Sequence, residues 1–243
     1  LCKVNRTDAM TRNATNQIHI EDLTVSRGGR PVLEKLNLSV RRGSFVSIEG
    51  HSGVGKSSLL SCLAGLLKPS SGAITYQCRK GCAHTPRQFQ ERLGLVFQHL
   101  RLTANATAEV NVLCGLLGTR PGWRTLFGFP NSDRSQANRL LAQLGLESLA
   151  SKPVSQLSGG ERQRVAVARA LISEPECLLA DEPVSNLDPA TARSVLSLLK
   201  SECTRNNCTV FCAIHDRALA EEFADSTLHL NAGNWELSRG GAC

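Results

Sequence analysis

The chain has 243 residues, with 28 Lys and Arg against 21 Asp and Glu for a formal charge of +7, and few aromatics: 7 Phe, 2 Trp and 1 Tyr. At this length one large α/β domain or two small ones can bury a core, which Leu, Val, Ile and Ala must supply. The basic residues are scattered, so charge alone selects no partner, and no run approaches the roughly 18 uninterrupted apolar residues of a membrane helix.

The opening LCKVNRTDAMTRNATNQ is too polar for a secretory signal; residue 1 is Leu and the only methionine is Met10. Residues 1–16 are therefore expected to be a disordered or non-native leader to a soluble, cytosolic domain over 17–243. SFVSIEG, an apolar run closing on Gly50, reads as a strand, and KSSLLSCLAGLL places Leu59, Leu60, Leu63 and Leu66 at helical spacing. The junction, Gly50-His51-Ser52-Gly53-Val54-Gly55-Lys56-Ser57 followed by Ser58, fits G-x-x-x-x-G-K-[ST] at each fixed position. Glycines let such a loop curl so that successive N–H groups and the helix N-terminus meet phosphate oxygens. Lys56 is then placed to neutralise β and γ phosphates, and the Ser57 hydroxyl to coordinate Mg2+.

LKPSSG interrupts the pattern, and AITY and RLGLVF read as further strands. From about 99 to 160 the periodicity is helical. SDRSQANRLLAQLGL puts Ala137, Leu140, Leu141 and Leu144 on one face, with Asp133 and Gln136 expected as a capping box. In LSGGERQR, Ser158 and Glu161 form another capping box. Gly159 and Gly160 expose backbone N–H groups at the positive end of that helix, a second anion site that suggests two chains sandwiching nucleotide. The strand ECLLAD ends on Asp181, a carboxylate suited to hold Mg2+ through water, and Glu182 follows as a general base for the attacking water. A helix over ATARSVLSLLKSEC and a strand over TVFCAIH complete an alternation that argues for a parallel sheet covered on both faces.

The 10 cysteines include no C-x-x-C pair. Cys78, Cys82 and His84, and the looser Cys203, Cys208 and Cys212, depart from zinc spacing, so reduced, partly buried thiols are expected.

From about residue 17 to about 235 the chain resembles the ATP-binding subunits of ABC transporters. Gly50 to Ser57 match the Walker A motif, Gln98 in LVFQH the Q-loop, and Leu157 to Glu161 the signature. Cys177 to Glu182 match Walker B, Ser185 to Asp188 the D-loop, and His215 in AIHD the switch histidine. The resemblance implies an α/β P-loop NTPase core with an N-terminal antiparallel β subdomain and an inserted helical subdomain at about 99–160. It also implies a head-to-tail dimer in which ATP lies between the P-loop of one subunit and Ser158, Gly159 and Gly160 of the other. Gln98 would contact Mg2+, His215 would touch the γ-phosphate, and the ATPase would sit on the cytoplasmic face of the inner membrane against an integral permease. Glu161 stands where the family often has Gln. The aromatic that usually stacks on adenine should fall near Ser26, yet no Phe, Trp or Tyr occurs between residues 1 and 44; Arg27 or Arg30 could lay a guanidinium plane there instead.

Asn111-Val112-Leu113, Gly115, Trp123-Arg124, Leu126-Phe127-Gly128 and Asp133-Arg134 resemble the corresponding segment of phosphonate-importer ATPases, which implies a phosphorus anion as cargo and a periplasmic binding protein as indirect partner. GGERQRVAVARAL and SNLD are equally similar to lipoprotein-releasing and macrolide-export ATPases, and a soluble assembly of the carbon-phosphorus lyase type remains open. Trp123, Phe127 and Phe129 could pack the helical subdomain or anchor the permease; Trp123 and Arg124 are the interface pair to test. Neither a long heptad repeat nor a basic stripe is present, so no nucleic-acid partner is expected.

Overall fold

Ten strands form two sheets in the computed structural model, which describes residues 16–28, 30–119 and 128–239. The first sheet is antiparallel, ordered β2-β1-β4-β5, from β1 (Asn16–Arg27), β2 (Arg30–Arg41), β4 (Ser71–Gln77) and β5 (Ala83–His84). The second runs β10-β9-β3-β8-β7-β6, from β3 (Phe45–Glu49), β6 (Leu93–Val96), β7 (Cys177–Asp181), β8 (Thr209–Ala213), β9 (Ser226–Asn231) and β10 (Asn234–Arg239). Its pairings are parallel except β9 with β10.

Alternate residues of the parallel sheet serve two cores, as the two-residue period of a strand requires. Val46, Ile48, Leu179 and Phe211 face the antiparallel sheet and Leu59, Leu60 and Leu63 of α1 (Lys56–Leu63). Phe45, Leu178, Val210 and Cys212 face α5 (Gly159–Leu171), α6 (Pro189–Asn206) and α7 (Arg217–Phe223). Burial on both faces explains why these strands read as continuous apolar runs. Tyr76 lies fully buried, stacked on Phe89 at 4.4 Å between ring centroids, and its hydroxyl donates to Leu63 O at 2.9 Å.

Two helices, α3 (Ala108–Leu113) and α4 (Asn131–Gln143), pack on α5 between β6 and β7. Asn111, in α3, is buried because its amide replaces backbone partners: Oδ1 accepts from Thr103 N at 2.8 Å and Nδ2 donates to Thr103 O and Thr107 O, each at 3.0 Å. A Cβ on Gly115 would lie 2.1 Å from Arg169 O, so the close approach to α5 requires glycine there.

Two sequence expectations are corrected. The capping box of Asp133 and Gln136 does not form: α4 begins at Asn131 with Pro130 as N-cap and no side-chain cap bond, and Asp133 is buried. Proline already sets the entering φ, here −58°, and Gln136 instead donates to Ile172 O at 3.1 Å and Glu174 Oε1 at 3.2 Å. Leu66 is not on the buried face of α1; the helix stops before Gly65, whose φ is +68°, and Leu66 is 54% exposed. Phe129 packs partly buried against the α3–α5 core. Trp123, Arg124 and Phe127 lie outside the described residues, as do residues 1–15 of the expected leader. Among the described residues no group of three His, Cys, Asp or Glu side chains could hold a metal ion, and no helix is long and apolar enough to cross a membrane. Burial pushes the Cys62 thiol up to about 11 and the Cys203 thiol up to about 12.

Candidate nucleotide site

All parallel strands of the second sheet point their carboxyl ends to one edge, which gathers Glu49, Asp181 and the turn after Ala213. In such sheets ligands bind at that edge. The loop from Gly50 to Gly55 leaves β3 there and feeds α1 through Gly55, whose φ of +118° makes it a left-handed N-cap. Gly50 (φ +146°) is enforced sterically as well, since a Cβ would stand 2.6 Å from Leu230 O. Lys56 is buried, and its Nζ folds back to donate to Gly50 O at 2.6 Å and His51 O at 3.2 Å. The lysine thus keeps the loop closed around its own charge.

A cavity of about 180 Å³ lies in this curl, lined by Ser52, Gly53, Gly55, Lys56, Ser57 and Ser58 of the loop, with Arg27, Val32, Gln98 and Glu182. The structure therefore brings Gln98 and Glu182 to the phosphate loop, and Arg27 to the place where an aromatic was missed. The side chain of Arg30 lies outside what is described. Val54, partly buried, packs against the core instead, and His51 lines a neighbouring hollow of about 730 Å³ with Glu49 and His215.

Asp181 ends β7, half-buried, with the Ser57 side chain close by. Burial raises its carboxyl above the ordinary aspartate range, against the lowering effect of Ser57 and of Lys56. Its Oδ1 is buried, with no hydrogen-bond partner among the described residues. A hydroxyl, an under-satisfied carboxylate oxygen and the nearby Gln98 amide form a hard oxygen donor set that fits Mg2+. Glu182 follows in a left-handed conformation, φ +56°, and its Oε1 meets His215 Nε2 at 2.5 Å. That pair places a carboxylate beside an imidazole, an arrangement able to hold and hand on a proton.

Ser158 caps α5: its Oγ accepts from Glu161 N at 3.3 Å, while Ser158 N donates to Glu161 Oε2 at 2.7 Å. These bonds hold the Glu161 carboxyl below the usual range. The expected capping box is present, and Gly159 has open space around its Cα. Ser158, Gly159 and Gly160 do not line the cavity at Lys56.

Two positions escaped the sequence. Gln163, buried in the second turn of α5, donates from Nε2 to Glu182 O at 2.7 Å. Arg169, further along the same helix, donates to Leu100 O at 2.6 Å and Arg101 O at 2.7 Å, just after Gln98. Both stood within ERQRVAVAR as ordinary polar residues of an amphipathic helix, with no local signal to mark them.

The family model described as ABC transporter matches residues 33–185, more than half of the chain. The chain belongs to the ABC transporter family. Among curated relatives, the phosphonates import ATP-binding protein PhnC of Trichormus variabilis is 41% identical over 218 residues, 88% of each chain. The hypophosphite import ATP-binding protein HtxD of Stutzerimonas stutzeri is 40% identical over 220 residues, 89% of this chain and 64% of the relative. The dimeric structure of MJ0796, a bacterial ABC transporter cassette, superposes with a TM-score of 0.82 at 30% identity, covering 93% of this chain and 100% of that one. The antiparallel sheet, the largely parallel core sheet and the helical insertion are those of the ABC ATPase cassette. As an ABC transporter ATPase, the protein hydrolyses ATP in a cycle coupled to transport.

Proposed function

We propose that this ABC ATPase powers import of a phosphonate or a related reduced-phosphorus anion through a membrane permease. The observation that carries the cargo class is the similarity to phosphonate and hypophosphite import ATPases over most of the chain. The expected phosphonate-importer resemblance of Asn111 to Arg134 supports the same reading.

In the proposed cycle two copies pair head to tail on the cytoplasmic face of the membrane. Backbone N–H groups of Gly53, Gly55, Lys56, Ser57 and Ser58, with those of the Gly50–Ser52 turn, receive the phosphates. Val54 maintains the curl from the core, and His51 lies toward the adjoining hollow. Ser57, Gln98 and Asp181 would hold Mg2+, which would supply positive charge to neutralise what develops on the phosphates. Glu182 Oε orients a water and takes its proton as the water oxygen bonds to the γ-phosphorus; the bond to the ADP oxygen breaks and ADP leaves with that electron pair. His215, already bonded to Glu182, steadies the carboxylate and the γ-phosphate. Ser158, Gly159 and Gly160 serve the nucleotide of the partner copy. Trp123, Arg124 and Phe127 meet the permease, and a periplasmic binding protein engages only through it. Arg27, at the cavity, stacks on the base.

The test is reconstitution with its permease partner, scoring which anion stimulates hydrolysis. Stimulation by phosphonate, phosphite or hypophosphite is expected; stimulation by none of these, or a gene neighbourhood of lyase subunits without a permease, overturns the cargo reading. Glu182→Gln should abolish nearly all hydrolysis and trap an ATP-bound dimer. Trp123→Ala should weaken permease assembly while leaving basal ATP hydrolysis intact.

A further inference from the structure

Glu182 holds a backbone conformation that side-chain-bearing residues rarely adopt, φ +56°, at the first step beyond β7. Such a conformation persists only where the surroundings over-determine it. Three groups of the described residues donate to its carbonyl. Ser185 supplies two, Oγ at 3.2 Å and N at 3.4 Å, but Ser185 belongs to the same turn and moves with it. The third, Gln163 Nε2 at 2.7 Å, comes from a different element. Gln163 is 3% exposed, so its amide is committed to the interior. The side chain of Glu182 is restrained separately, by His215 on the β8 side. A second contact joins the same two segments: a Cβ on Gly160 would stand 2.9 Å from Leu187 Cδ2, so the first turn of α5 rests on the chain that follows Glu182.

We propose that Gln163 is a positioning residue for hydrolysis. By fixing the Glu182 carbonyl it sets the direction in which the carboxylate leaves the backbone, toward His215 and the Lys56 cavity. It also ties the base of one ATP site to the helix whose first turn serves the other site of the dimer. A shift of α5 on nucleotide engagement at Ser158–Gly160 is transmitted to Glu182 by the Gln163 hydrogen bond, with the Gly160–Leu187 contact beside it. The inference rests on the reading of Glu182 as the water-polarising base and of α5 as the partner-facing helix.

Gln163→Met keeps the length and close to the volume but removes the donor. Its kcat for ATP should fall about 10- to 100-fold, while KM and nucleotide affinity stay within about twofold, because the phosphate loop is untouched. The decisive measurement is a double-mutant cycle of single-turnover hydrolysis with Glu182→Gln. If Gln163 acts through Glu182, adding Gln163→Met to Glu182→Gln slows the residual rate by less than about twofold. The same loss in both backgrounds, or full activity in Gln163→Met alone, overturns the proposal. Should Gln163→Met lose ATP binding with its fold, Gln163→Glu is the second probe, since its carboxyl donates to the carbonyl only when protonated. Its rate relative to the unsubstituted chain should fall from about pH 6 to about pH 8, and a flat ratio overturns the proposal. Failure of the underlying reading is distinguishable, because Glu182→Gln alone would then hydrolyse ATP at the full rate.

Discussion

The N-termini of α1 and α5 both carry glycines, in the loop before α1 and in the first turn of α5, yet they are finished in opposite ways. At α1 the glycines adopt left-handed backbone, packing against Leu230 O leaves no room for a Cβ at Gly50, and a buried lysine returns to the loop's own carbonyls. At α5 the cap is a serine, the third residue is a glutamate bonded back to it, and Gly159 stands in open space. The helix dipole is the same in both. A loop that brings its own cation forms a whole phosphate cradle, whereas an end already neutralised by its own carboxylate offers N–H groups without a counter-charge. The second end becomes useful when another chain presents a nucleotide that already carries its lysine and metal, which is the physical content of the proposed sandwich.

The comparison breaks first at Lys56. Lys56→Ala should lower kcat/KM for ATP by about 10²- to 10³-fold or more, from loss of phosphate charge stabilisation in a water-poor curl. Ser158→Ala should leave nucleotide affinity of the isolated chain unchanged, so equal losses of affinity at the two positions in a binding titration would erase the distinction drawn here.

Stability sharpens it next. Gly50→Ala forces a methyl group into Leu230 O and should cost more than about 2 kcal/mol in urea unfolding, while Gly159→Ala should stay within about 0.5 kcal/mol. Removing the cap with Ser158→Ala falls between them at about 1 kcal/mol.

Two acidic groups, Asp181 and Glu161, respond to pH with opposite signs. Asp181 is raised above its unfolded value, chiefly by burial, so the folded chain binds the proton more tightly than the unfolded one. Its contribution to stability therefore declines as pH rises from the ordinary aspartate value through the raised one. Asp181→Asn should raise Tm of the nucleotide-free protein at neutral pH, with the gain shrinking in acid, while hydrolysis is lost. Glu161 is lowered by its bonds to Ser158, so its contribution is present above the unfolded pKa and lost as pH falls through the folded one. Glu161→Gln should cost a little Tm at neutral pH and nothing in acid; melts of both variants across a pH series check the opposed slopes.

The smallest effect concerns the base. With Arg27 at the cavity and no aromatic before Phe45, GTP should be hydrolysed within a few-fold of ATP, and Arg27→Ala should weaken both nucleotides alike. Strict ATP preference in a competition assay would remove Arg27 from the base.

Much of the fold was legible because its determinants are local. The apolar runs that became β3, β7 and β8 lie wholly inside the sheet, and the cap at Ser158 joins residues three positions apart. What failed was tertiary in origin. Leu66 fits the helical period but follows a glycine whose Cβ would meet Arg87 N at 2.9 Å, so α1 ends early against the segment of α2 (Pro86–Phe89). Asp133 looked like a cap until Pro130 started α4 sooner. Gly115 read as part of a subfamily pattern, and its immediate physical reason is the approach to Arg169 O. Phe129 contributes to the helical core, which answers for one of three clustered aromatics; Trp123 and Phe127 lie outside the described residues.

By itself the sequence determined where the residues proposed to carry the chemistry stand: Lys56 and Ser57 on a glycine loop, Asp181 and Glu182 at a strand end, Ser158 at a helix start. Spacing within one turn or one strand sets those relations, and backbone geometry leaves them little freedom. Only the tertiary structure decided that Gln163 grips the carbonyl of Glu182, 19 positions away, and that Arg169 grips Leu100 O, 69 positions away. Those bonds depend on how α5 lies against the sheet, which follows from burial of its whole apolar face and leaves no mark at any single residue.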